Sequence, residues 1–361
     1  MSEVITPSST SDVSAALRSA WHDGLRVLPR GAGTKLDWGA PPSGVDVEVD
    51  MRGLDRIVEY APGDLVVRVE AGVPLAALSE HCAPAGQMLA LDPIVPGGTV
   101  GGTVATNASG PGRYRYGTCR DLLIGVTVVL ADGTVARSGG KVVKNVAGYD
   151  LGKLYTGSYG TLGVVTEAVF RLHPLPVGRA YVSVVAEGPA EAAAAAERVR
   201  RSQLAVSAIE VDRPDPTGPL TVTALVDGAG AEGEPRPPPW WGTAPWPAGG
   251  TGLKVSARLS RLGAVLDLLG RPGVTVRGSL GAGVLYAGMP ADTPVEAVAG
   301  LVADLRAALA PGEGSAVVVC TPVSDGLDRW GPVLGLELMR RVKARFDPRG
   351  LLNPGRFVGG I

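Results

Sequence analysis

Apolar and charged residues alternate strictly in Val45-Asp46-Val47-Glu48-Val49-Asp50. Successive side chains of an extended chain point to opposite sides, so this run predicts a strand with one buried face. Upstream, Val13, Ala16, Leu17, Ala20 and Trp21 recur at the three-to-four spacing of a helix with one apolar face, and Ser11 is placed to cap it. Short apolar runs at 26–29, 65–70, 122–130 and 164–172 predict further strands, and Asp132-Gly133 reads as a hairpin turn after 126–130. Pro74 suits the first turn of a helix carrying Leu75, Leu78 and Cys82, and residues 150–155 suit a short helix.

After Pro174-Leu175-Pro176 the pattern changes to strand–helix–strand blocks. Strands are expected at 181–186, 205–211 and 220–226, with an Ala-rich helix at 189–203. A Pro/Gly/Trp loop occupies 227–252, and the pattern resumes with strands at 253–259, 274–276, 283–287 and 317–320. Helices are expected at 261–269 and along Val295, Val298, Val302, Leu305 and Leu309. Two such blocks imply an antiparallel sheet backed by helices on one face. Leu334, Leu338, Val342 and Phe346 line one face of a last helix, and a Gly/Pro turn at 347–357 follows.

Three small-residue loops abut strands, at 30–34, 97–110 and 157–163. The segment from Asp92 to Leu130 organises the rest. Its first half holds Gly97, Gly98, Gly101, Gly102 and Gly110 and almost no bulky side chain; its second half is an apolar strand. Glycine lets bare main-chain N–H groups approach something large and anionic, so the three loops together suggest a wall for a dinucleotide-sized diphosphate. A single such loop is equally a surface turn. No G-x-G-x-x-G lies between a strand and a helix, so this is not a Rossmann site.

Composition narrows the class. Glycine (52) and proline (30) make up over a fifth of the 361 residues, nearly twice the usual ~12%, while 45% are hydrophobic: an ordered, turn-rich α+β protein of two domains. A net charge of −1 leaves no basic footprint for nucleic acid. Cys82, Cys119 and Cys320 are odd in number and far apart, which fits a reducing compartment and argues against a metal or iron–sulfur site built by this chain. No apolar run approaches the ~20 residues of a membrane span, and MSEVITPSST has no signal-peptide core; the expected location is cytoplasmic, with any contact with the inner membrane made through partners.

Six segments carry a resemblance: PRGAGT (29–34), PGGTVGGTVATNASG (96–110), YGTCRDLLIG (116–125), GGKVVKNVAGYDL (139–151), GSYGTLGVVTE (157–167) and FDPRGLLNPGRF (346–357). Together they resemble the FAD-linked oxidase family with the vanillyl-alcohol-oxidase (PCMH) type flavin domain. KNVAGYDL and GSYG bring the chain nearest to the FAD-binding E-type subunits of bacterial glycolate oxidase (glycolate dehydrogenase). The resemblance implies an α+β fold in three parts. These are a PCMH-type FAD-binding domain of two α/β subdomains at 1–176, a ferredoxin-like antiparallel cap with helices on one face at 177–330, and a helix and turn at 331–361 returning to the flavin.

It also implies which residues meet the cofactor. The pyrophosphate would lie between Arg30, Gly31, Ala32, Gly33 and Thr34 on one side and Pro96, Gly97, Gly98, Thr99, Gly101 and Gly102 on the other. Thr106, Asn107 and Gly110 would continue the wall, with Gly117 and Asp121 nearby. Gly163, Val164 and Val165 would meet the adenine side, and Asn353 and Arg356 the isoalloxazine. Thr34 stands where members that tether flavin commonly carry a histidine, so the FAD is expected to be non-covalent. Cys119 reads as a small packed residue.

The resemblance leaves a gap. Flavin oxidation of a 2-hydroxy acid needs a base or metal for the hydroxyl proton and cations for the carboxylate. Related dehydrogenases supply a His-rich metal site from the cap. Here His22, His81 and His173 all precede the cap, and Gly314-Ser315-Ala316 and Ser324-Asp325-Gly326 do not reproduce that motif. The leading expectation is therefore an FAD-binding subunit, with no metal of its own, working beside a catalytic FAD-linked oxidase subunit and an iron–sulfur subunit. Trp240, Trp241 and Trp246 would then serve as a docking surface or lie locally buried. Two readings stay open beside it. One is a self-sufficient dehydrogenase or oxidase of another hydroxy substrate, its base drawn from Tyr114, Tyr116, Tyr149 or Lys144, with Arg113 and Arg115 gripping an anion and Arg356 stabilising the reduced flavin. The other is a scaffold without cofactor.

Overall fold

The computed structural model describes residues 2–140, 150–309, 312–323 and 326–361. Strands β1 (Glu3–Ile5), β2 (Val27–Arg30) and β3 (Val47–Asp50) form a small parallel sheet in the order β1-β3-β2. Helix α1 (Thr10–Asp23) buries Val13, Leu17 and Ala20. Its cap is Ser9 rather than Ser11: the Ser9 hydroxyl accepts from the Asp12 N–H, and Gly24 ends the helix in the left-handed region.

Seven strands follow: β4 (Ile57–Ala61), β5 (Val66–Glu70), β6 (Gln87–Met88), β7 (Leu123–Val129), β8 (Val135–Gly139), β9 (Val164–Arg171) and β10 (His173–Pro174). β6 and β10 pair with each other; the other five form an antiparallel sheet in the order β4-β5-β9-β7-β8. Val164, Ala168 and Phe170 on the central strand lie in one continuous core with α1 and with α2 (Leu75–Cys82). The stretch at 97–110, read from sequence as bare loop, contains a helix, α3 (Val100–Thr106). The Thr99 hydroxyl accepts from the Gly102 N–H at its start, and Asn107 ends it at φ 48°. Gly101 is required here by packing: its N–H bonds to the Ala71 carbonyl at 2.8 Å, and a Cβ would stand 2.8 Å from that of Ala71. Short helices α4 (Arg113–Tyr116), α5 (Cys119–Leu122) and α6 (Gly152–Tyr155) connect these pieces.

The second unit is one antiparallel sheet of seven strands: β11 (Arg179–Ala186), β12 (Val206–Arg213), β13 (Leu220–Asp227), β14 (Thr251–Ala257), β15 (Thr275–Ser279), β16 (Val284–Met289) and β17 (Gly314–Cys320). Its order is β11-β13-β12-β15-β16-β14-β17. Helices α7 (Pro189–Arg200), α8 (Leu262–Leu268) and α9 (Val295–Ala308) cover one face, where Ile209, Val211, Leu253, Leu285 and Val318 form the core. The other face is polar. It carries Glu210, Asp212, Lys254, Arg277 and Tyr286 and looks toward the first unit.

The Pro/Gly/Trp loop packs across that polar face rather than standing clear. Trp246 lies 6.1 Å from Tyr286, ring centre to ring centre, and Trp241 lies 5.1 Å from Tyr181. The Ala244 N–H bonds to the Ile94 carbonyl, which ties the loop to the first unit.

Helix α10 (Leu336–Phe346) closes the chain. Only Val342 and Phe346 of its expected apolar face pack on the core; Leu334 precedes the helix and is 76% exposed, and Leu338 is 61% exposed. Lys343 anchors the helix instead, donating to Asp347 and to the carbonyls of Thr161 and Leu352. The tail then returns to β2, with Val27 N–H on Leu351 O and Asn353 N–H on Val27 O. This return carries Asn353 and Arg356 to the loop that follows β2.

Candidate functional site

Four segments distant in sequence meet in one cleft. The first is the loop leaving β2. Pro29, Arg30, Gly31, Ala32, Gly33, Thr34, Lys35 and Leu36 line an open cavity, opposite Thr99, Gly102, Ala105 and Thr106 of α3 and its cap. An adjoining cavity shares Pro29, Gly31, Thr99, Gly102, Ala105, Tyr159 and Asn353, and continues past Gly101, Met51 and Ala71 to Gly163, Val164 and Val165. The walls are mostly main chain, because the residues there are glycine, alanine and threonine.

The approach of the two loops depends on glycine. A Cβ on Gly31 would stand 2.2 Å from the Thr99 hydroxyl. Gly97, at φ +75°, and Gly98 turn toward Thr34 and Lys35, and a Cβ on Gly98 would stand 2.7 Å from the Lys35 ammonium. Lys35, which sequence reasoning missed, is 7% exposed and hydrogen-bonds Thr34 Oγ1 at 3.2 Å; burial pulls its pKa down to about 8. It is the buried ammonium of a cradle whose two arginines are otherwise engaged, Arg30 with Glu48 and Asp50 and Arg356 with main-chain carbonyls. Its only signal in sequence was its place directly after the first glycine loop.

The third and fourth segments lock onto each other. Tyr159 holds φ +56°, its N–H bonds to Ala105 O, and its carbonyl accepts from Asn353 Nδ2 at 2.7 Å. Asn353 itself sits at φ +44°, 3% exposed, and its Oδ1 is buried with no hydrogen-bond partner. An orphaned amide oxygen lining both cavities is an acceptor waiting for a donor, and a bound flavin ring carries one. Arg356 lines the first cavity, but its Nη2 donates to the carbonyls of Lys35 (2.8 Å) and Leu36 (2.9 Å). It therefore braces the 33–36 turn from behind, and burial lowers its pKa. Neither Tyr159 nor Lys35 came out of the sequence motifs as a wall residue.

Other expected residues stand apart from these two cavities. Asn107 caps α3 and accepts from Arg120 N–H. Gly110 packs against the Asp92 main chain, and Gly117 against Asp121. Asp121 forms a capping box with Thr118, accepting from its N–H at 2.7 Å and its hydroxyl at 2.9 Å. Pro96 is exposed, on the outer side of the loop.

The candidate base Tyr116 also lies elsewhere. Its OH donates to Asp227 at 3.4 Å and its ring stacks on His173 at 4.8 Å, while Arg115 pairs with the same Asp227. Tyr114 packs into the cap core. Lys144 and Tyr149 lie outside the described residues. His22 pairs with Asp23 at the surface and His81 meets the Tyr60 ring edge-on. Among the described residues no three His, Cys, Asp or Glu side chains group as a metal site. Cys119 is fully buried, and burial pushes its thiol up to about 12, which keeps it unreactive.

Residues 1–139 match the family model described as FAD binding domain, and residues 328–357 match FAD linked oxidases, C-terminal domain. The N-terminal part of this chain is thus similar to FAD binding domains, and its C-terminal segment to the C-terminal domain of FAD linked oxidases. Parts of the chain are also similar to three curated relatives. The chain is 34% identical over 211 residues to D-lactate dehydrogenase [cytochrome] 1, mitochondrial, of Saccharomyces cerevisiae, covering 58% of this chain and 36% of that one. It is 37% identical over 174 residues to glycolate oxidase subunit GlcD of Bacillus subtilis (48% and 37% covered), and 38% identical over 162 residues to glycolate oxidase subunit GlcE of Escherichia coli (44% and 46%). The chain thus spans less than half the length of each of these relatives. A solved alkyldihydroxyacetonephosphate synthase shares the fold across 97% of this chain and 75% of its own, with TM-score 0.69 and 17% identity. Among the described residues no helix is long and apolar enough to cross a membrane.

Proposed function

We propose that this chain is the FAD-binding subunit of a glycolate oxidase (glycolate dehydrogenase) type complex, holding FAD non-covalently in the cleft between residues 30–36 and 97–106. The complex would oxidise a small 2-hydroxy acid such as glycolate to the oxo acid. Electrons would leave through the flavin to an iron–sulfur partner, beside a catalytic FAD-linked oxidase subunit. When bound, FAD supplies the two-electron acceptor that such an oxidation needs. The location would be cytoplasmic, with any membrane contact made through partners.

The observation that carries the reading is the convergence of four main-chain segments on one cleft with an orphaned acceptor, Asn353 Oδ1, in its wall. The chain's own residues would divide the work. Main-chain N–H groups of 31–34 and 97–99 would hold the diphosphate, as neutral amide donors do in backbone nests. Residues 163–165 flank the adenine end, and Asn353 orients the flavin end. Thr34 offers no nucleophile for a covalent tether. Similarity to glycolate oxidase subunits supports the choice of complex and of substrate class.

The test is direct. The chain is purified alone and titrated with FAD; the expected result is a flavin spectrum and saturable binding. Absence of flavin bands after reconstitution overturns the cofactor reading in favour of a scaffold. Glycolate is then offered with an artificial electron acceptor. Turnover is expected only with the partner subunits added, and robust turnover by the chain alone would make it a self-sufficient dehydrogenase.

A further inference from the structure

Helix α10 presents an apolar strip that the fold itself leaves uncovered. Met339 and Val342 line a groove with Leu154, Leu162, Phe357 and Ile361, and Leu338 joins them. Leu338 is 61% exposed, and Leu334, four residues before it, is 76% exposed. The threonine hydroxyls in the groove wall are already engaged. Thr156 Oγ1 donates to Gly152 O at 2.8 Å, and Thr161 Oγ1 donates to Ser158 O at 2.7 Å. The groove therefore offers a ligand shape and apolar area, and few hydrogen bonds. Exposed apolar area of this kind marks an interaction site.

The charged border of the groove is one-sided. Arg341 and Arg345 follow Leu338 by three and seven positions, so the three run along the same side of the helix. Both arginines are exposed and, among the described residues, neither joins a hydrogen bond or an ion pair. Glu337, one turn before Arg341, is not paired with it. An unbalanced basic border beside an apolar strip is complementary to a partner that carries acidic residues beside its own apolar face. It disfavours a second copy of this chain, because a two-fold contact through this face would set the arginines of one copy against those of the other. The strip is also concave, walled by residues 154–162 and by Phe357 and Ile361, which suits a helix laid into it better than a flat lipid surface.

This groove and the cofactor cleft share a wall. Ser158 lines both. Gly157, Thr161 and Leu162 face the groove, while Tyr159, Gly160 and Gly163 face the cleft. Phe357, in the groove, lies 5.6 Å from Tyr159, ring centre to ring centre. A protein seated in the groove is thus one loop away from the cofactor cleft. We propose that the α10 groove docks an amphipathic helix of a partner protein, its apolar residues seated against Leu338, Met339 and Val342 and its acidic residues against Arg341 and Arg345. That this partner is the electron-accepting subunit rests on the function proposed above.

Two labelled helical peptides are the probes. One carries leucine along one face with glutamate beside it; the other has lysine in place of glutamate. Each is titrated with the full chain, with and without FAD, and followed by fluorescence anisotropy. The glutamate peptide is expected to bind, and the lysine peptide to bind at least about tenfold more weakly. Leu338→Ser should weaken binding about tenfold or more, as loss of a central apolar anchor does. Arg341→Glu together with Arg345→Glu should reverse the preference between the peptides. All three side chains are exposed, so melting temperature and FAD uptake should match those of wild type. Binding of neither peptide, equal binding of the two, or binding untouched by Leu338→Ser would overturn the proposal. Dimerisation of the wild type in sedimentation that Leu338→Ser abolishes would overturn it in favour of a second copy. Cosedimentation with phosphatidylserine-containing vesicles that the same variant abolishes would overturn it in favour of a lipid surface. A chain that takes up no FAD yet distinguishes the peptides would sink the cofactor reading and uphold the groove.

Discussion

The cofactor cleft and the polar face of the cap sheet are built on opposite plans. The cleft is made of main chain: glycine, alanine and threonine bring N–H groups close and leave one buried ammonium, Lys35, beside them. The polar face is made of side chains, with Glu210, Lys254 and Tyr286 on the strands of the sheet and Arg113 reaching Tyr286 from a short helix. A main-chain wall suits a ligand whose shape does not vary, because it is specified by where glycine is required. A side-chain wall can change its ligand by single substitutions. The difference explains why one region is legible as a motif and the other is not.

Steric change in the cleft should give the largest effect. Gly31→Val places side-chain carbons where the Thr99 hydroxyl already lies within 2.2 Å of a Cβ, so the two loops must part. FAD affinity, followed by flavin fluorescence, is expected to fall more than about 100-fold, a loss of some 2.7 kcal/mol or more. Circular dichroism should show the fold retained, because the change sits at a cavity wall and not in the core. Unchanged affinity would mean that the diphosphate does not pass between these loops.

Buried charge on the cap sheet should appear next, as pH dependence. Glu210 is ordinarily acidic at 4.5, and in the fold burial holds its proton until about 8. Between those values the folded chain binds a proton that the unfolded chain has released. Stability must therefore fall as pH rises from 4.5 toward 8 and level off above. The total is on the order of a few kcal/mol. Glu210→Gln removes this term, so its melting temperature should exceed that of wild type at pH 9 and approach it at pH 5. Parallel curves for the two proteins would show that Glu210 ionises normally.

Much of this was readable beforehand, for physical reasons that differ by element. The strand alternation at 45–50 and the helix–strand blocks of the cap declare themselves because one face of each is buried. The loop at 30–34 and the wall at 163–165 declare themselves through glycine and through the strands they abut. The helix Val100–Thr106 stayed hidden because two glycines and two threonines are poor helix formers; tertiary contacts with Ala71, not propensity, hold it. Leu338 misled because an apolar residue at helical spacing need not face the core. Lys35 and Tyr159 were missed because their roles come from which loop faces them across the cleft. The approach of Arg113 to Tyr286, with Lys254 beside it, was invisible because these residues span 174 positions and come together only when the sheet pairs.

Lys35 offers a finer contrast. A buried ammonium beside a largely main-chain cradle should add a salt-sensitive share to FAD binding that main-chain donors do not. Lys35→Met is expected to weaken FAD about tenfold and to flatten the dependence on ionic strength, while Lys35→Arg should retain the charge. In wild type the affinity should decline as pH climbs past about 8, where the unliganded Lys35 gives up its proton. A Lys35→Met protein with unaltered salt dependence would show that the ammonium faces away from the cofactor.

The smallest effect should come from Asp121, although it lies inside a family motif. Its carboxylate accepts from the N–H and the hydroxyl of Thr118 and stands apart from both parts of the cleft. Such a cap is worth about 1 kcal/mol, and it closes the first turn of the short helix Cys119–Leu122. Asp121→Ala should therefore lower thermal stability slightly and leave FAD affinity within about twofold of wild type. A larger loss of FAD would mean that the turn at 117–121 reaches the cofactor through segments that move when it binds. The main-chain wall would then extend beyond the four segments that meet in the cleft.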